Sequence, residues 1–454
     1  MHNVIVFTLS EGNAVECMKR LNANGIINIC AWLGVDKGQG VITYDYGKLN
    51  DIDVLKEKSV SCPSDIYDKV YTHMYRFLDM VFRNGYKPIY EYVNQFNLWL
   101  NFYYGLFTKN KIDLVIFGDI PHFGVDSIAK DLADAMGIKT ILFQQAHENN
   151  RFFAFTDIND IGEYKILGND DRLDINVEER YEKDLFYMKN IKVIPPGTEG
   201  NNDILCVLKG IPNKLQKSRG EIVYKLKKYS LGKIADKAYR SVSRLKYKHI
   251  EHKMVVNNPN FNEDFVYFAL HLQPEMTTSA LGGKFCDQIL AIERLRAMLP
   301  SDYMIYVKEN PRQSYYMRDE LFYKRLKLLN NVCLVGRDVN TYDLIRKSKF
   351  VATITGTVGW EAISGGKCVL IFGLAWYRKL PGVFEYNPKI QTKDILNYKI
   401  DHYKLENAYK TLMSRSYKGL LECGWQNAIA EYSDEKNNEY LYNAFCNILN
   451  KLDL

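Results

Sequence analysis

Between residues 265 and 372, short apolar runs alternate with amphipathic segments at regular intervals. Bounded apolar runs of about four to eight residues are typical of buried strands, and apolar residues spaced three and four apart are typical of helices. Such alternation predicts an open, mostly parallel sheet, in which ligands collect at the carboxyl ends of the strands. The predicted strands are 265–272, 303–307, 332–335, 350–354 and 368–372, and the predicted helices are 287–298, 318–329, 342–347 and one that begins at Trp360.

A similar series of apolar runs occupies the first part of the chain. Because 454 residues are too many for one ordinary core, this series predicts a second sheet of the same kind. We therefore predict an α/β fold with two Rossmann-like domains that face a cleft. The predicted strands of the first sheet are 4–7, 26–33, 112–117 and 140–144, and the predicted helical regions are 14–21, 66–107 and 127–136.

The alternation stops between the two series, where charge rises and strand patterns disappear. From Lys214 to Lys253 there are thirteen Lys or Arg residues against three acids. We predict an N-terminal Rossmann-like domain at 1–196, a basic helical linker at 197–260, a C-terminal Rossmann-like domain at 261–400 and C-terminal helices at 401–454 that pack back on the domains.

Three predicted strands of the second domain end in polar tips marked by proline or glycine. These are His271-Leu272-Gln273-Pro274-Glu275, Lys308-Glu309-Asn310-Pro311 and Thr355-Gly356-Thr357 with Glu361. In the third tip, small residues allow the backbone to approach a ligand, and N–H groups at a helix start favour a phosphate. Each tip alone is also compatible with an ordinary turn. Because parallel strands end at one sheet edge, the three together predict a nucleotide site.

Individual roles follow from the chemistry of each side chain. Thr355 and Thr357 offer hydroxyl donors, and Lys308 is suited to a phosphate or carboxylate. Glu361, expected in the first helical turn, either accepts ribose hydroxyls or caps the helix. The predicted nucleotide-sugar-binding residues are Gln273, Glu275, Lys308, Glu309, Asn310, Thr355, Gly356, Thr357 and Glu361.

The first domain supplies the predicted catalytic residues. Asp119 follows the strand 112–117, at a tip that is expected to face the cleft. A carboxylate there is suited to act as general base on an acceptor hydroxyl, or as a nucleophile; a hydrogen-bonded loop aspartate is the plainer alternative. His122 is predicted to donate a proton or bind phosphate, and Glu148, beside His147, is a further candidate. The segment 10–13 closes the first strand and is predicted to contribute to acceptor binding.

The segments HLQPEMTTSALGG, VKENPRQ and TITGTVGWEAISGGKCVLIFGLAWY resemble, in this order, the bacterial capsular polysaccharide biosynthesis family. That family includes the Kdo transferases of capsule and lipopolysaccharide assembly. The resemblance implies a GT-B fold with an acceptor-binding domain at 1–196 and a nucleotide-sugar-binding domain at 261–400, a CMP-activated sugar such as Kdo as donor, and catalysis without a metal. Several relatives carry His-Pro where this chain has Asn310-Pro311, so the role of that histidine does not transfer.

Other patterns point away from further ligands. Asp51-Ile52-Asp53 matches an Asp-x-Asp metal motif, but such triplets are common by chance and no strong strand precedes it, so no metal site is predicted. A helix with Ile222, Leu226 and Tyr229 on one side is suited to lie on an anionic inner membrane, or equally to be a solvated linker. No recognised nucleic-acid-binding module accompanies the basic charge, so nucleic acid is not a predicted partner.

The nine cysteines show no C-x-x-C spacing, and the N-terminus lacks a signal-peptide pattern. Both features predict a cytoplasmic protein, peripheral to the inner membrane if the basic segment binds it. We predict a metal-independent glycosyltransferase of surface-polysaccharide synthesis that uses a nucleotide-sugar donor and a glycan or lipid-linked acceptor, without a further cofactor. A nucleotide-sugar epimerase of the same architecture and a non-catalytic assembly or export component are the alternatives.

Overall fold

The computed structural model describes residues 1–9, 12–34, 43–44, 59–81, 88–148, 150–173, 175–177, 231–422, 426, 429 and 431–452. In these residues two sheets of seven and six strands are formed. The strands are β1 (His2–Phe7), β2 (Ile27–Leu33), β3 (Thr43–Tyr44), β4 (Leu114–Phe117), β5 (Lys139–Gln145), β6 (Arg151–Phe155), β7 (Phe265–Ala269), β8 (Met304–Lys308), β9 (Val332–Val335), β10 (Val351–Thr353), β11 (Val369–Ile371), β12 (Val383–Glu385) and β13 (Tyr417–Lys418).

Helices connect most of these strands and cover the sheets. They are α1 (Gly12–Ala23), α2 (Ser64–Tyr71), α3 (Met74–Val81), α4 (Ile89–Lys109), α5 (Val125–Met136), α6 (Leu231–Met254), α7 (Gln288–Met298), α8 (Glu320–Lys327), α9 (Thr341–Lys347), α10 (Thr357–Ser364), α11 (Thr392–Leu396), α12 (His402–Ser414) and α13 (Asp434–Leu452).

The first sheet has the order β13-β6-β5-β4-β1-β2-β3; its strands run in one direction except for β6, which is antiparallel to both of its neighbours, β5 and β13. The second sheet has the order β12-β11-β10-β7-β8-β9 and is parallel throughout. All four residues of β4 and all five of β7 are buried, as expected for central strands covered on both faces. The predicted α/β fold of two Rossmann-like sheets is confirmed.

The strand order fixes where a ligand can enter each sheet. In the first sheet the chain winds outward from β1 in one direction and from β4 in the other, so the crevice lies between β1 and β4. In the second sheet the corresponding switch lies between β7 and β10. Open α/β sheets bind ligands at these switch points, outside the carboxyl ends of the strands. Asp119 follows β4, and Thr355 follows β10.

Several predicted boundaries differ from the structure. The strand predicted at 265–272 ends at Ala269, because His271 and the residues after it turn into a loop held by side-chain hydrogen bonds. In its described residues, the helical region predicted at 66–107 forms three helices, and near the C-terminal end α13 begins at Asp434. The sequence patterns did not predict β3, β6, β12, β13 or α11, whereas α12 lies within the C-terminal helices predicted at 401–454.

The chain returns to the first sheet at its C-terminal end. Strand β13 pairs with β6 through Tyr417 and Lys418, and α13 packs against α1. Asn437 of α13 donates to Asn13 of α1 (3.1 Å) and to the carbonyl oxygen of Leu420 (3.0 Å). The C-terminal segment therefore completes the first sheet.

The basic segment contributes one described helix, α6, whose inner face packs against the second sheet's helices. Glu251 accepts two hydrogen bonds from Arg337 (2.8 and 2.9 Å) and one from the hydroxyl of Tyr323 (3.0 Å). Residues 214–230, which include the predicted helix at 222–229, lie outside the described residues, as do Asp51 and Asp53. Of the helices that the structure describes, none has the length and apolar character needed to cross a bilayer.

The two sheets are joined by an apolar cluster that runs from one to the other. Trp360 of α10 stacks on Tyr409 of α12 with ring centroids 4.6 Å apart, and Trp376 lies 5.2 Å from Trp360. The ring of His147, after β5, lies 5.1 Å from Trp376. Tyr409 also donates its hydroxyl hydrogen to Glu148. Helix α10 is therefore packed against the first sheet's loops as well as its own sheet.

Candidate functional site

A cavity of about 560 Å³ lies at the carboxyl edge of the second sheet, beside the switch point between β7 and β10. We call it the switch-point cavity. Six of the predicted nucleotide-sugar-binding residues line it: Lys308, Glu309, Asn310, Gly356, Thr357 and Glu361. Its other lining residues are Tyr267, Ala269, Leu270, His271, Pro311, Arg337, Asp338, Val339, Asn340, Thr341, Tyr342, Thr353 and Val358.

The N-terminus of α10 opens into this cavity. The helix begins at Thr357, three residues earlier than predicted, and its N-cap Gly356 makes no side-chain capping hydrogen bond. The first N–H groups of a helix have no intrahelical partner, and together with the helix dipole they favour an anion. Glu361 is the fifth helical residue, so its predicted place in the first turn is wrong and a capping role is excluded by position.

The turn before α10 is held in place by three side chains. The N–H of Thr355 donates to Nε2 of His271 (3.1 Å), and the Thr355 hydroxyl donates to the carbonyl oxygen of Thr277 (2.7 Å). The hydroxyl of Tyr377 donates to the carbonyl oxygen of Gly356 (2.5 Å). Burial lowers the pKa of His271 to about 4, so the ring is neutral and Nε2 remains an acceptor at neutral pH. The hydroxyl of Thr355 is therefore engaged within the protein.

Lys308 places its ammonium group at the opposite wall of the cavity. Its Nζ donates to the hydroxyl oxygen of Thr341 (2.8 Å) and to the carbonyl oxygen of Val339. Burial lowers the pKa of Lys308 to about 8, because the charged form is poorly solvated there. An anion in the cavity would favour the charged form, so Lys308 and a bound phosphate would stabilise each other.

Glu361 is the buried carboxyl group of the cavity. It is 8% exposed, and burial raises its pKa to about 7. Burial raises the pKa of the neighbouring Tyr267 hydroxyl, and the charge of Glu361 raises it further. A carboxyl group at this depth is suited to accept hydrogen bonds from ligand hydroxyls such as those of a ribose.

Three of the predicted nucleotide-sugar-binding residues lie outside the switch-point cavity. The hydroxyl of Thr355 donates to the carbonyl oxygen of Thr277. Gln273 donates to the carbonyl oxygen of Cys286 (2.7 Å) and accepts from Gln288 (2.9 Å). Glu275 accepts from the N–H and the hydroxyl of Thr277 (2.9 and 2.8 Å), which fixes the turn after β7.

Glu309 lines the cavity, but its carboxylate is engaged by Arg318. Nε of Arg318 donates to Oε2 of Glu309 (2.8 Å) and one terminal nitrogen donates to Oε1 (3.1 Å), in a pair that is almost fully buried. Arg318 also donates to the carbonyl oxygen of His271 (2.8 Å). Glu309 and Arg318 therefore join the ends of β7 and β8 and set the shape of the cavity wall.

Asp119 lies at the switch point of the first sheet, between β1 and β4. Gly118 before it is needed for close approach, because a Cβ there would lie 2.6 Å from Oγ1 of Thr8. Burial raises the pKa of Asp119 to about 7; His122 opposes this rise, and the charges of Glu422 and Glu275 add to it. Since Glu275 belongs to the second sheet's loops, Asp119 faces the other half of the molecule across the cleft.

His122 is close to Asp119 but is oriented by its own loop. Its Nδ1 lies 2.7 Å from the carbonyl oxygen of Ile120 and 3.9 Å from Oδ2 of Asp119. The loop is fixed by Asp126, which accepts from the N–H groups of His122 and Phe123 (both 2.9 Å). The structure thus brings Asp119 and His122 together.

Glu148 has a different environment. Its carboxylate accepts from Tyr409 at the contact between β5's loop and α12. Of the predicted catalytic residues, Glu148 is the one whose hydrogen bond joins the two halves of the molecule.

Sequence reasoning missed several residues of the site. Glu422 follows the unpredicted strand β13, and burial raises its pKa. Tyr377 holds the turn before α10 by donating to the carbonyl oxygen of Gly356. Arg337 holds the tip of β8 by donating to the carbonyl oxygen of Asn310 (3.2 Å). Tyr377 ends the third family-like segment of the sequence, but its contact with Gly359, where a Cβ would lie 2.1 Å from the Tyr377 hydroxyl oxygen, becomes visible only in three dimensions. Among the described residues, no group of three or more His, Cys, Asp or Glu side chains is arranged to hold a metal ion.

Residues 221–414 match the family model described as capsule polysaccharide biosynthesis protein. The resemblance predicted from the three strand tips is confirmed for this part of the chain. No curated protein matches the chain.

Solved structures with some likeness to the chain include glycosyltransferases and epimerases. The β-Kdo 2,7 transferase of KpsC from Thermosulfurimonas dismutans is 12% identical, with 75% of this chain and 88% of that chain covered and a TM-score of 0.31. The UDP-GlcNAc 2-epimerase from Methanocaldococcus jannaschii is 11% identical, with coverage of 94% and 98% and a TM-score of 0.23. A family 9 glycosyl transferase from Veillonella parvula is 10% identical, with coverage of 91% and 97% and a TM-score of 0.21.

Proposed function

We propose that this chain, which matches the capsule polysaccharide biosynthesis family over residues 221–414, is a GT-B glycosyltransferase that moves a sugar from a nucleotide-sugar donor to a glycan acceptor. The observation that carries the proposal is the switch-point cavity, where the uncapped N-terminus of α10, Lys308 and Glu361 meet. A helix N-terminus and an ammonium group suit phosphate, and a buried carboxyl group suits ribose hydroxyls.

The donor site comprises Lys308, Asn310, Gly356, Thr357 and Glu361, which line the cavity together. Four other predicted residues shape the loops around the cavity through hydrogen bonds within the protein and do not contact the donor. They are Gln273, Glu275, Glu309 and Thr355. The boundaries at 196, 260 and 400 divide the chain into acceptor domain, linker, donor domain and C-terminal segment.

Asp119 is the general base of the proposed reaction. It takes the proton of the acceptor hydroxyl, whose oxygen forms a bond to the anomeric carbon of the donor sugar. The bond from that carbon to the phosphate oxygen breaks, and the nucleotide leaves with the electron pair. The N-terminus of α10 and Lys308 stabilise the leaving phosphate without a metal. His122 positions the acceptor beside Asp119, and Glu148 acts through the contact with Tyr409 rather than on substrate.

The preferred donor is a CMP-linked ulosonic acid such as Kdo, because the family resemblance includes Kdo transferases. The test is incubation of the purified chain with CMP-, UDP-, GDP- and TDP-sugars, with and without capsule-type acceptors, while nucleotide release and donor structure are followed. Acceptor-dependent nucleotide release is expected, and Asp119→Asn should slow it by about 10²- to 10⁴-fold. A donor sugar altered without any acceptor would instead identify an epimerase. Unchanged polysaccharide output in cells carrying Asp119→Ala or Glu361→Ala would support a non-catalytic component.

We further propose that the basic segment at 214–253 touches the cytoplasmic face of the inner membrane, close to a lipid-linked acceptor. In support, Tyr239, Val242 and Leu245 are more than half exposed on α6, at helical spacing and among Lys and Arg residues. Sedimentation with vesicles should show binding to phosphatidylglycerol but not to phosphatidylcholine. Equal recovery of the chain with both lipids would show a solvated helix.

A further inference from the structure

The switch-point cavity holds two buried ionisable side chains that have no ion-pair partner among the described residues. Glu361 and Lys308 both line the cavity, and each is only 8% exposed. Burying a charge without an oppositely charged partner is costly, so such a group loses its charge or takes a partner from a ligand. The contacts of each group decide how a bound ligand changes its charge.

The carboxyl group of Glu361 is free to accept hydrogen bonds from a ligand. Within the described part of the chain its side chain makes no hydrogen bond or ion pair, and burial raises its pKa to about 7. Neither carboxyl oxygen is enclosed by protein atoms, so the group opens into the cavity that it lines. A hydroxyl group that donates to the carboxylate stabilises the ionised form and lowers the pKa. Below about pH 7, where the free group is largely protonated, such a ligand therefore displaces a proton.

The ammonium group of Lys308 has hydrogen-bond partners that carry no charge. They are the hydroxyl oxygen of Thr341 (2.8 Å) and the carbonyl oxygen of Val339. Burial lowers the pKa of Lys308 to about 8, and the charge of Asp338 opposes this fall. A phosphate beside the ammonium group favours the charged form and raises the pKa. Above about pH 8, where the free amine is largely uncharged, a bound phosphate therefore draws in a proton.

Two buried ion pairs lie in or beside the cavity wall. Arg318 donates to both carboxylate oxygens of Glu309 (2.8 and 3.1 Å), and Arg337 donates to both of Glu251 (2.8 and 2.9 Å). Both pairs are almost fully buried. Their charges are compensated inside the protein, so neither pair needs a charge from the ligand.

The other titratable groups of the wall are two phenols, an imidazole and one exposed carboxyl group. Burial lowers the pKa of His271 to about 4 and raises the pKa of the Tyr267 hydroxyl, so both stay neutral between about pH 6 and 8.5. Tyr342 supplies the second phenol, and Asp338 is exposed to solvent, which screens its charge from a ligand. Glu361 and Lys308 are therefore the groups whose charge a ligand in the cavity changes most.

We propose that donor binding in the switch-point cavity is linked to proton exchange, because ribose hydroxyls displace a proton from Glu361 and phosphate draws a proton onto Lys308. The inference rests on the proposed transferase function and concerns the regulation of its donor site by pH. Release from Glu361 dominates below about pH 7.5 and uptake at Lys308 dominates above it, since this pH lies midway between the two free pKa values. Release makes binding tighter as the pH rises, and uptake makes it weaker, so donor affinity passes through a maximum at about pH 7.5.

The test is isothermal titration calorimetry of the full chain at about pH 6, 7.5 and 8.5, in pairs of buffers that differ in ionisation enthalpy. The probes are cytidine 5′-phosphate methyl ester, UDP-glucose and GDP-mannose, because their esterified phosphates do not titrate in this range. With the probe that binds, about half a proton or more should be released at about pH 6, and a similar number taken up at about pH 8.5. Kd should be at least about threefold higher at either of these pH values than at about pH 7.5. Exchange in the same direction at both, or no exchange at either, would overturn the inference.

Changes to the ligand and to the chain identify the two protons. The 2′-deoxy form of the probe lacks one hydroxyl group, so it should reduce the release at the lowest pH and leave the uptake at the highest pH unchanged. Because this arm uses the wild-type chain, its result does not depend on how the variants fold. Glu361→Gln should abolish the release, and Lys308→Arg, which stays charged, should abolish the uptake.

The matched control is Glu435→Gln on α13, an exposed carboxyl group outside the cavity, which should keep both the release and the uptake. Wild-type exchange in both Glu361→Gln and Lys308→Arg would assign the protons to other groups and refute the inference.

Proton exchange and nucleotide binding are measured together, so the two proposals fail in different ways. A nucleotide that binds without exchange leaves the transferase function in place and removes only the linkage to pH. Binding by none of the probes at any of the pH values contradicts the donor site, and with it both proposals.

Discussion

At the residue scale, two carboxyl groups on opposite sides of the cleft have pKa values raised to about 7 by burial: Asp119 at the first switch point and Glu361 in the switch-point cavity. The charges of Glu422 and Glu275 also raise the pKa of Asp119, whereas burial alone raises the pKa of Glu361. The two groups therefore serve different purposes, proton transfer and donor binding, and they make separate predictions.

The pH dependence of transfer tests Asp119. A general base must be ionised, so kcat/KM should rise as the pH increases through about 7, and Asp119→Asn should lower it by about 10²- to 10⁴-fold. Glu422→Gln removes a nearby negative charge, so the rise should move to lower pH. Glu435→Gln, an exposed change on α13, is the matched control for that shift. A pH profile that is the same in wild type and Glu422→Gln would exclude electrostatic coupling between Glu422 and Asp119.

The pH dependence of stability tests Glu361. Because its folded pKa is raised above the usual value of 4.5, the unfolded chain loses this proton first, and the folded state is penalised as the pH rises from 4.5 through about 7. Glu361→Gln should therefore unfold at higher denaturant concentration than wild type at pH 8 and at a similar one at pH 4. The gain at pH 8 is at most about 3 kcal/mol. A difference in unfolding free energy that does not change with pH would show that Glu361 is ionised in the folded protein.

At the element scale, helix α10 is the part of the donor site that depends most on close packing. Gly359 lies against Tyr377, and a Cβ at this position would be 2.1 Å from the tyrosine oxygen and 2.6 Å from Cζ. Tyr377 in turn fixes the carbonyl group of Gly356, the N-cap of the helix. Packing between one glycine and one ring therefore sets the position of the helix N-terminus.

Gly359→Ala should displace α10 and destabilise the protein by about 1–3 kcal/mol, the usual cost of overpacking. Chemical denaturation measures this loss, and titration with nucleotide should show weaker binding. Combining it with Tyr377→Phe, which removes the clashing oxygen, should recover part of the loss in a double-mutant cycle. Strictly additive effects of the two changes would show that the contact does not exist.

The same elements show which parts of the fold the sequence could predict. Strands β7 to β11 were found because central parallel strands are continuous apolar runs between clear turns. Strands β12 and β13 were missed because they are two or three residues long at a sheet edge, where packing and not pattern decides the structure. Helix α12 lies within 401–454, where helices were predicted without individual boundaries.

The sequence predicted part of the candidate site, as it predicted part of the fold. Lys308, Asn310, Gly356, Thr357 and Glu361 share one sheet edge, so strand ends alone brought them together. Glu422 follows a strand recruited from the far end of the chain, and no spacing in the sequence relates it to Asp119. Gln273 and Glu309 looked like ligand-binding residues because their partners, Gln288 and Arg318, become visible only in three dimensions.

At the scale of the whole molecule, the two sheets are joined by packed aromatic rings and by polar contacts that cross between the halves. Tyr409 donates to Glu148, and Arg378 donates to the carbonyl oxygen of Asn159. Because Tyr409 stacks on Trp360 of α10, motion at its part-buried contact with Glu148 would be transmitted to the donor site.

Tyr409→Phe removes the hydroxyl that donates to Glu148 and leaves the shape of the side chain almost unchanged, so it tests this contact between the halves. Loss of a part-buried hydrogen bond to a carboxylate should lower the free energy of unfolding by about 1.5–3 kcal/mol. Tyr403→Phe is the matched control on the same helix, because Tyr403 is 74% exposed, and it should leave stability unchanged. If both variants unfold like wild type, the contact between Tyr409 and Glu148 contributes nothing to the joint.

The central claim, a donor-nucleotide site in the switch-point cavity, is tested most directly by a thermal-shift panel of CMP, UDP, GDP and TDP. A ligand that binds only the folded state adds about 2.7 kcal/mol of stability at a hundredfold excess over its Kd. We expect one nucleotide, with CMP preferred, to raise Tm well above the others, and the rise to shrink in Thr357→Val. No rise in Tm with any of the four at saturating concentration would contradict the claim.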